Sequence, residues 1–96
     1  MRHYYIVTYD VADAKRLRKV FNTMKGYGSH LQLSVFQCDL TARDLVEMSY
    51  ALQAVIHKEQ DQVLILDLGP SEGNPIKGVR HLGKPMTIEQ RKATIV

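Results

Sequence analysis

Tyr9, Asp10 and Asp13, followed directly by Lys15, Arg16, Arg18 and Lys19, set carboxylates beside a dense run of cations. Carboxylates are the hard oxygen ligands that magnesium selects, and magnesium is often held by only one or two of them, keeping water and phosphate oxygens for its other positions. Clustered Lys and Arg contact phosphates without reading bases, which gives salt-dependent, sequence-tolerant binding. Together these residue types are the parts of a metal-dependent site acting on a phosphodiester, with Asp10 the candidate metal ligand and catalytic residue.

Each part also has a structural reading. An Asp leaving a strand is often a helix cap or a turn former, but Asp13 is the better cap, which leaves Asp10 without a structural task. One Asp10 per chain is sparse for a metal. Two chains meeting with their Asp10 residues facing would hold one ion between two carboxylates, and a short chain has reason to pair. Such an ion would activate water for attack on a phosphodiester and offset charge on the phosphate. The cationic residues also read as the solvated outer face of a helix, but four cations in five positions just after a candidate metal ligand favour the functional reading.

These residues need elements to carry them. Tyr4–Tyr9 is aromatic and β-branched on both faces, as in a central strand that ends at Asp10. Leu17, Val20, Phe21 and Met24 recur at helical spacing, so a helix is expected from about Asp13 to Met24, closed by Gly26 and Gly28. Its outer side carries Lys15, Arg16, Arg18, Lys19 and Lys25. Leu31–Leu40 alternates with odd positions apolar up to Val35 and even positions from Phe36, a phase slip that predicts two short β pieces meeting at Val35–Phe36. Thr41 and Asp44 form a capping-box pattern for a second helix over Ala42–His57, with Leu45, Met48, Leu52, Val55 and Ile56 inward. Val63–Leu66 reads as a second central strand buried on both sides, and Val79–Leu82 as a short edge strand. The tail from Pro85 has no apolar stripe. The order β-α-β-β-α-β predicts an α+β, ferredoxin-like sandwich with both helices on one face of one sheet and an extra C-terminal edge strand.

The bounds agree. The 96 residues make one domain, 45% hydrophobic and 24% charged, and no apolar run is long enough to span a bilayer. The first residues run straight into a strand, unlike a signal peptide, so a cytoplasmic protein is expected. A lone Cys38 forms no internal disulfide, and no histidine stands at zinc-ligand spacing with it. Residues 1–26 hold six Lys/Arg against two Asp, residues 27–75 two against seven acidic, and residues 76–96 five against one. That distribution fits either a polarised nucleic-acid footprint or scattered surface charge.

Taken together, these residues resemble the second core CRISPR-associated (Cas) protein family, the small nuclease-like partner of the integrase in spacer acquisition. The resemblance runs from about Tyr4 to Leu68. It rests on Tyr9-Asp10-Val11 closing the first strand, on Asp13 with Arg16-Leu17-Arg18-Lys19-Val20, on Tyr27-Gly28, and above all on Gln32-Leu33-Ser34-Val35-Phe36. It implies a symmetric homodimer in which the C-terminal segment from about residue 76 packs on the partner's sheet. It also implies a shared Mg2+ or Mn2+ site between the two Asp10 residues, with Arg16 and Arg18 near it and Tyr9, Ser34 and Phe36 as its surroundings. Family members are described as metal-dependent endonucleases on single-stranded RNA or double-stranded DNA, and as the dimer that bridges two integrase dimers. His30 stands where the family often has Arg, and a neutral imidazole would weaken a phosphate contact. The rival readings are a catalytically inactive nucleic-acid scaffold, a toxin-type endoribonuclease sharing the fold, and a small-molecule sensor, for which no Gly-rich ligand loop is present.

Overall fold

The computed structural model describes residues 1–84, and the tail from Pro85 onward lies outside the described residues. The chain runs β1 (His3–Asp10), α1 (Ala14–Lys25), β2 (Gly28–Gln32), β3 (Val35–Leu40), α2 (Ala42–Gln53) and β4 (Gln62–Pro70), followed by two single 3-10 turns. The sheet order is β2-β3-β1-β4 with every neighbouring pair antiparallel. Each helix therefore links two parallel strands with an antiparallel strand between them, the ferredoxin-like arrangement that the sequence predicts. No helix among the described residues is long and apolar enough to cross a membrane.

The strand period of two divides the sheet into a covered and an uncovered face. Tyr5, Val7 and Tyr9 of β1 and Phe36, Cys38 and Leu40 of β3 are buried against Val20 and Met24 of α1 and Met48 and Leu52 of α2. Burial pushes the Cys38 thiol up to about 12, so it packs as a small apolar group. Asp13 caps α1 by accepting from the Arg16 N–H at 3.0 Å. Thr41 and Asp44 close the expected capping box on α2, whose bonds from Thr41 hold the Asp44 carboxyl below its usual value.

Five expectations change. The phase slip in Leu31–Leu40 is a two-residue turn at Leu33–Ser34 joining β2 to β3, and Leu31 is an extra residue where the pairing shifts between His30 and Gln32. Helix α2 ends at Gln53 rather than His57, because the His57 N–H is taken by the Asp61 carboxylate at 2.7 Å; Val55 and Ile56 still pack on the core from the turns that follow. Leu17, assigned to the core stripe, is 38% exposed.

The fourth change is the largest. β4 lies at the edge of the sheet, with Leu64, Ile65, Leu66 and Leu68 between 38% and 49% exposed. An apolar run reports that burial is wanted without saying by what, and this topology gives the central places to β1 and β3. Val79–Leu82 forms no strand here, and Leu82 is almost fully exposed.

Gly28 opens β2 where the backbone passes Cys38, and a Cβ there would sit 2.5 Å from both Cys38 Sγ and the Gln37 carbonyl oxygen. Gly28→Ala is expected to destabilise the fold by about 1–3 kcal/mol through overpacking, read as a shift of the denaturant midpoint at constant slope. An unchanged midpoint would mean that β2 can move away from β3 freely.

Candidate metal and nucleic-acid site

Asp10 is the last residue of β1, paired with Gln62 at the start of β4. Consecutive strand residues point to opposite faces, so Tyr9 enters the core while the Asp10 side chain belongs to the face the helices leave uncovered. Asp10 is exposed, and its carboxylate accepts no hydrogen bond among the described residues. It is free for an external cation, whereas the Asp13 carboxylate is spent on its cap.

The connection after Asp10 is held by a residue that sequence reasoning missed. Asp61, just ahead of β4, accepts from the Ala12 N–H at 3.0 Å, the His57 N–H at 2.7 Å and Arg16 Nε at 2.7 Å, with Arg16 Nη2 also within 3.2 Å. Its side chain has no exposed area, and that of Arg16 is 24% exposed. The Arg16 bond first, then the two backbone N–H groups, hold the Asp61 carboxyl well below the usual carboxylate range despite its burial. Arg16 Nη2 also donates to Gln60 at 3.0 Å. Arg16 is thereby committed to fastening the loop after Asp10 to the loop before β4. The topology offers a signal for this: in a ferredoxin-like sheet the start of β4 lies beside the end of β1, so a carboxylate just before β4 falls next to the cationic start of α1.

The other cations differ. Lys15, Arg18 and Lys19 are exposed on one side of α1 at spacings of three and four residues, and none has a hydrogen-bond or ion-pair partner among the described residues. Lys25, farther along, lies 5.5 Å over the Phe21 ring. Phe36 is fully buried, with ring centroids of Tyr9, Phe21 and His30 between 5.0 and 6.3 Å away, so it shapes the site by packing. His30 packs between Phe21 and Phe36, with Nε2 3.1 Å from the Leu33 carbonyl oxygen. It serves the β2–β3 turn rather than a phosphate. Ser34, in that turn, accepts the Tyr9 N–H through its own carbonyl at 3.1 Å and so ties the turn to the end of β1.

The donor set of one chain does not complete a metal site: among the described residues there is no group of three His, Cys, Asp or Glu side chains able to hold an ion. Asp10 lies in the same row of the uncovered face as Leu64 and Leu66, which stand opposite Thr8 and Ile6. A second copy docked there would bring a second carboxylate.

The family described as CRISPR associated protein Cas2 matches residues 1–73. The chain is 49% identical over 94 residues to a protein of Rhodospirillum rubrum named CRISPR-associated endoribonuclease Cas2 1, covering 98% of this chain and 91% of that one. It is 45% identical over 96 residues to CRISPR-associated endoribonuclease Cas2 of Geobacter sulfurreducens, covering both chains in full. Its fold superposes on the crystal structure of Streptococcus pyogenes Cas2 with a TM-score of 0.74 and 33% identity, covering 83% of this chain and 99% of that one.

Proposed function

The chain belongs to the Cas2 family of CRISPR-associated proteins, and from that premise we propose that two copies form a Mg2+- or Mn2+-dependent endonuclease whose shared metal lies between their Asp10 residues. The observation that carries this is the exposed carboxylate of Asp10, unpartnered among the described residues, on a sheet face that those residues leave apolar and uncovered. A divalent ion held there makes water nucleophilic and offsets charge on the phosphate. The chain's own residues do the rest. Lys15, Arg18 and Lys19 attract and align the phosphates, and the Asp61–Arg16 pair holds the Asp10 connection in place. The naming of relatives as endoribonucleases favours RNA over DNA as substrate.

The same dimer would bridge integrase dimers in spacer acquisition. The outer edge of β4, unpaired among the described residues, suits an added strand, and the exposed Val79–Leu82 segment of a partner is the proposed occupant. A scaffold that binds nucleic acid without turnover is the second reading, supported by the single carboxylate that each chain contributes.

The deciding experiment is cleavage of labelled single-stranded RNA and duplex DNA by wild type and Asp10→Ala, with magnesium or chelator, beside sedimentation. We expect a dimer whose cleavage needs the metal and falls at least roughly tenfold in Asp10→Ala, the lower end of the cost of disturbing metal ligation. Equal cleavage by the two proteins, or none by either with binding intact, would leave the scaffold.

A further inference from the structure

Across the β1 backbone from Asp10, on the helix side of the sheet, α1 and the β2–β3 turn border an open cavity of about 480 Å3, within the roughly 300–1,000 Å3 of small-ligand sites. Tyr9, Leu17, Phe21 and Leu33 give it apolar and aromatic walls, and Arg18 and Ser34 complete most of its lining. Three features of this wall are unsatisfied. The Tyr9 hydroxyl, on a residue only 5% exposed, is shielded from water and has no hydrogen-bond partner among the described residues, a state that costs free energy in a protein interior. A phenol hydroxyl can both donate and accept a hydrogen bond. Leu17 and Leu33 leave apolar surface in water, Leu33 at 89% exposure. Arg18, unlike Arg16, has no partner among the described residues.

We propose that this cavity takes one unpaired nucleobase of a nucleic-acid strand, with a flanking phosphate on Arg18. The chemistry matches group by group. A base is flat and apolar on its faces, which suits walls of leucine and of Phe21, itself braced by edge contacts to His30 and Phe36. Its rim carries nitrogen and oxygen atoms, for which the Tyr9 hydroxyl is a partner. Lys15 and Lys19 continue the charge of Arg18 along α1, so the occupant belongs to a polyanion rather than being an isolated anion. A base still paired in a duplex cannot enter, so the cavity selects single strands or frayed ends. This rests on the nucleic-acid reading above and deepens it, since a strand so held passes the end of β1, where Tyr9 and Asp10 are consecutive.

The test is a binding titration in chelator, where no cleavage occurs, comparing a single-stranded adenine octanucleotide with an abasic sugar-phosphate octamer of equal charge. Wild type is expected to bind the base-bearing strand about 5- to 150-fold more tightly, the effect of one stacked base. Ala14→Trp, which fills the cavity from an exposed helix position, and Leu33→Ala, at an exposed turn position, should each shrink that ratio while binding the abasic octamer as wild type does. Both variants are checked for an unchanged thermal midpoint. Adenosine monophosphate should compete only weakly, having no neighbouring phosphates for Lys15 and Lys19. Equal binding of the two octamers by wild type, or a ratio undiminished in both variants, overturns the pocket and leaves the Asp10 site standing. Competition by the free nucleotide as strong as by the octamer overturns the strand as occupant. Binding of neither octamer removes the nucleic-acid reading, and the pocket with it.

Discussion

Asp61→Ala is expected to lower the thermal midpoint by roughly 10 °C, a large change for a domain of this size, and to speed amide exchange at Ala12 and His57. Removing this carboxylate leaves three donors without an acceptor: Arg16 Nε and the N–H groups of Ala12 and His57. Leaving such groups unpaired away from water costs more than the bond itself contributed. Asp61→Asn keeps a neutral acceptor in the same place and should fall between wild type and Ala. The pH dependence has a definite sign. The folded carboxyl lies below its ordinary value of 3.8, so its contribution is fully present above that value and is lost as pH falls through it towards the folded value. The midpoint difference between wild type and Asp61→Asn should therefore be constant near neutrality and shrink below about pH 4. Lys15→Ala and Lys19→Ala, at exposed positions whose side chains have no hydrogen-bond or ion-pair partner among the described residues, should leave the midpoint unmoved. A midpoint for Asp61→Ala within about 2 °C of wild type would mean that water replaces the carboxylate and that the loop is held by other contacts.

The same residue marks what a linear reading can see. Local rules carried α1 and the start of α2, because the caps at Asp13 and Thr41–Asp44 act over three residues and the apolar stripes over a turn. The phase slip was visible in the alternation of Leu31–Leu40, but the turn fell one to two residues earlier because the extra Leu31 shifts the pairing before the strands part. Asp10 was legible as a carboxylate at a strand end. Arg16 was legible only as charge: its commitment to Asp61 and Gln60 spans more than forty residues and depends on β4 returning beside β1. Val63–Leu66 failed differently. Its hydrophobicity was read as interior position, while the order of strands places it at an edge, where the described residues supply little cover.

That uncovered strand gives the second large effect. Leu64→Glu combined with Leu66→Glu is expected to convert the proposed dimer to a monomer at micromolar concentration and to remove the metal-dependent cleavage proposed for it. Leu66 stands opposite Ile6 and Leu64 opposite Thr8, and the next pair in the row is Asp10 with Gln62, so the apolar patch and the carboxylate share one face. In a symmetric dimer each leucine is buried twice. At about 1.5–3 kcal/mol for each fully buried side chain, four leucines easily account for a thousandfold change in Kd, which needs only about 4 kcal/mol. Four introduced carboxylates would add repulsion across the interface. The folded monomer should survive, since both positions are already nearly half exposed and lose little packing. Three measurements separate the possibilities: sedimentation, far-ultraviolet circular dichroism and cleavage. A folded monomer without cleavage ties activity to two facing Asp10 residues. A persisting dimer would put the interface elsewhere and separate the two carboxylates, and a monomer that still cuts would mean that one Asp10 is enough.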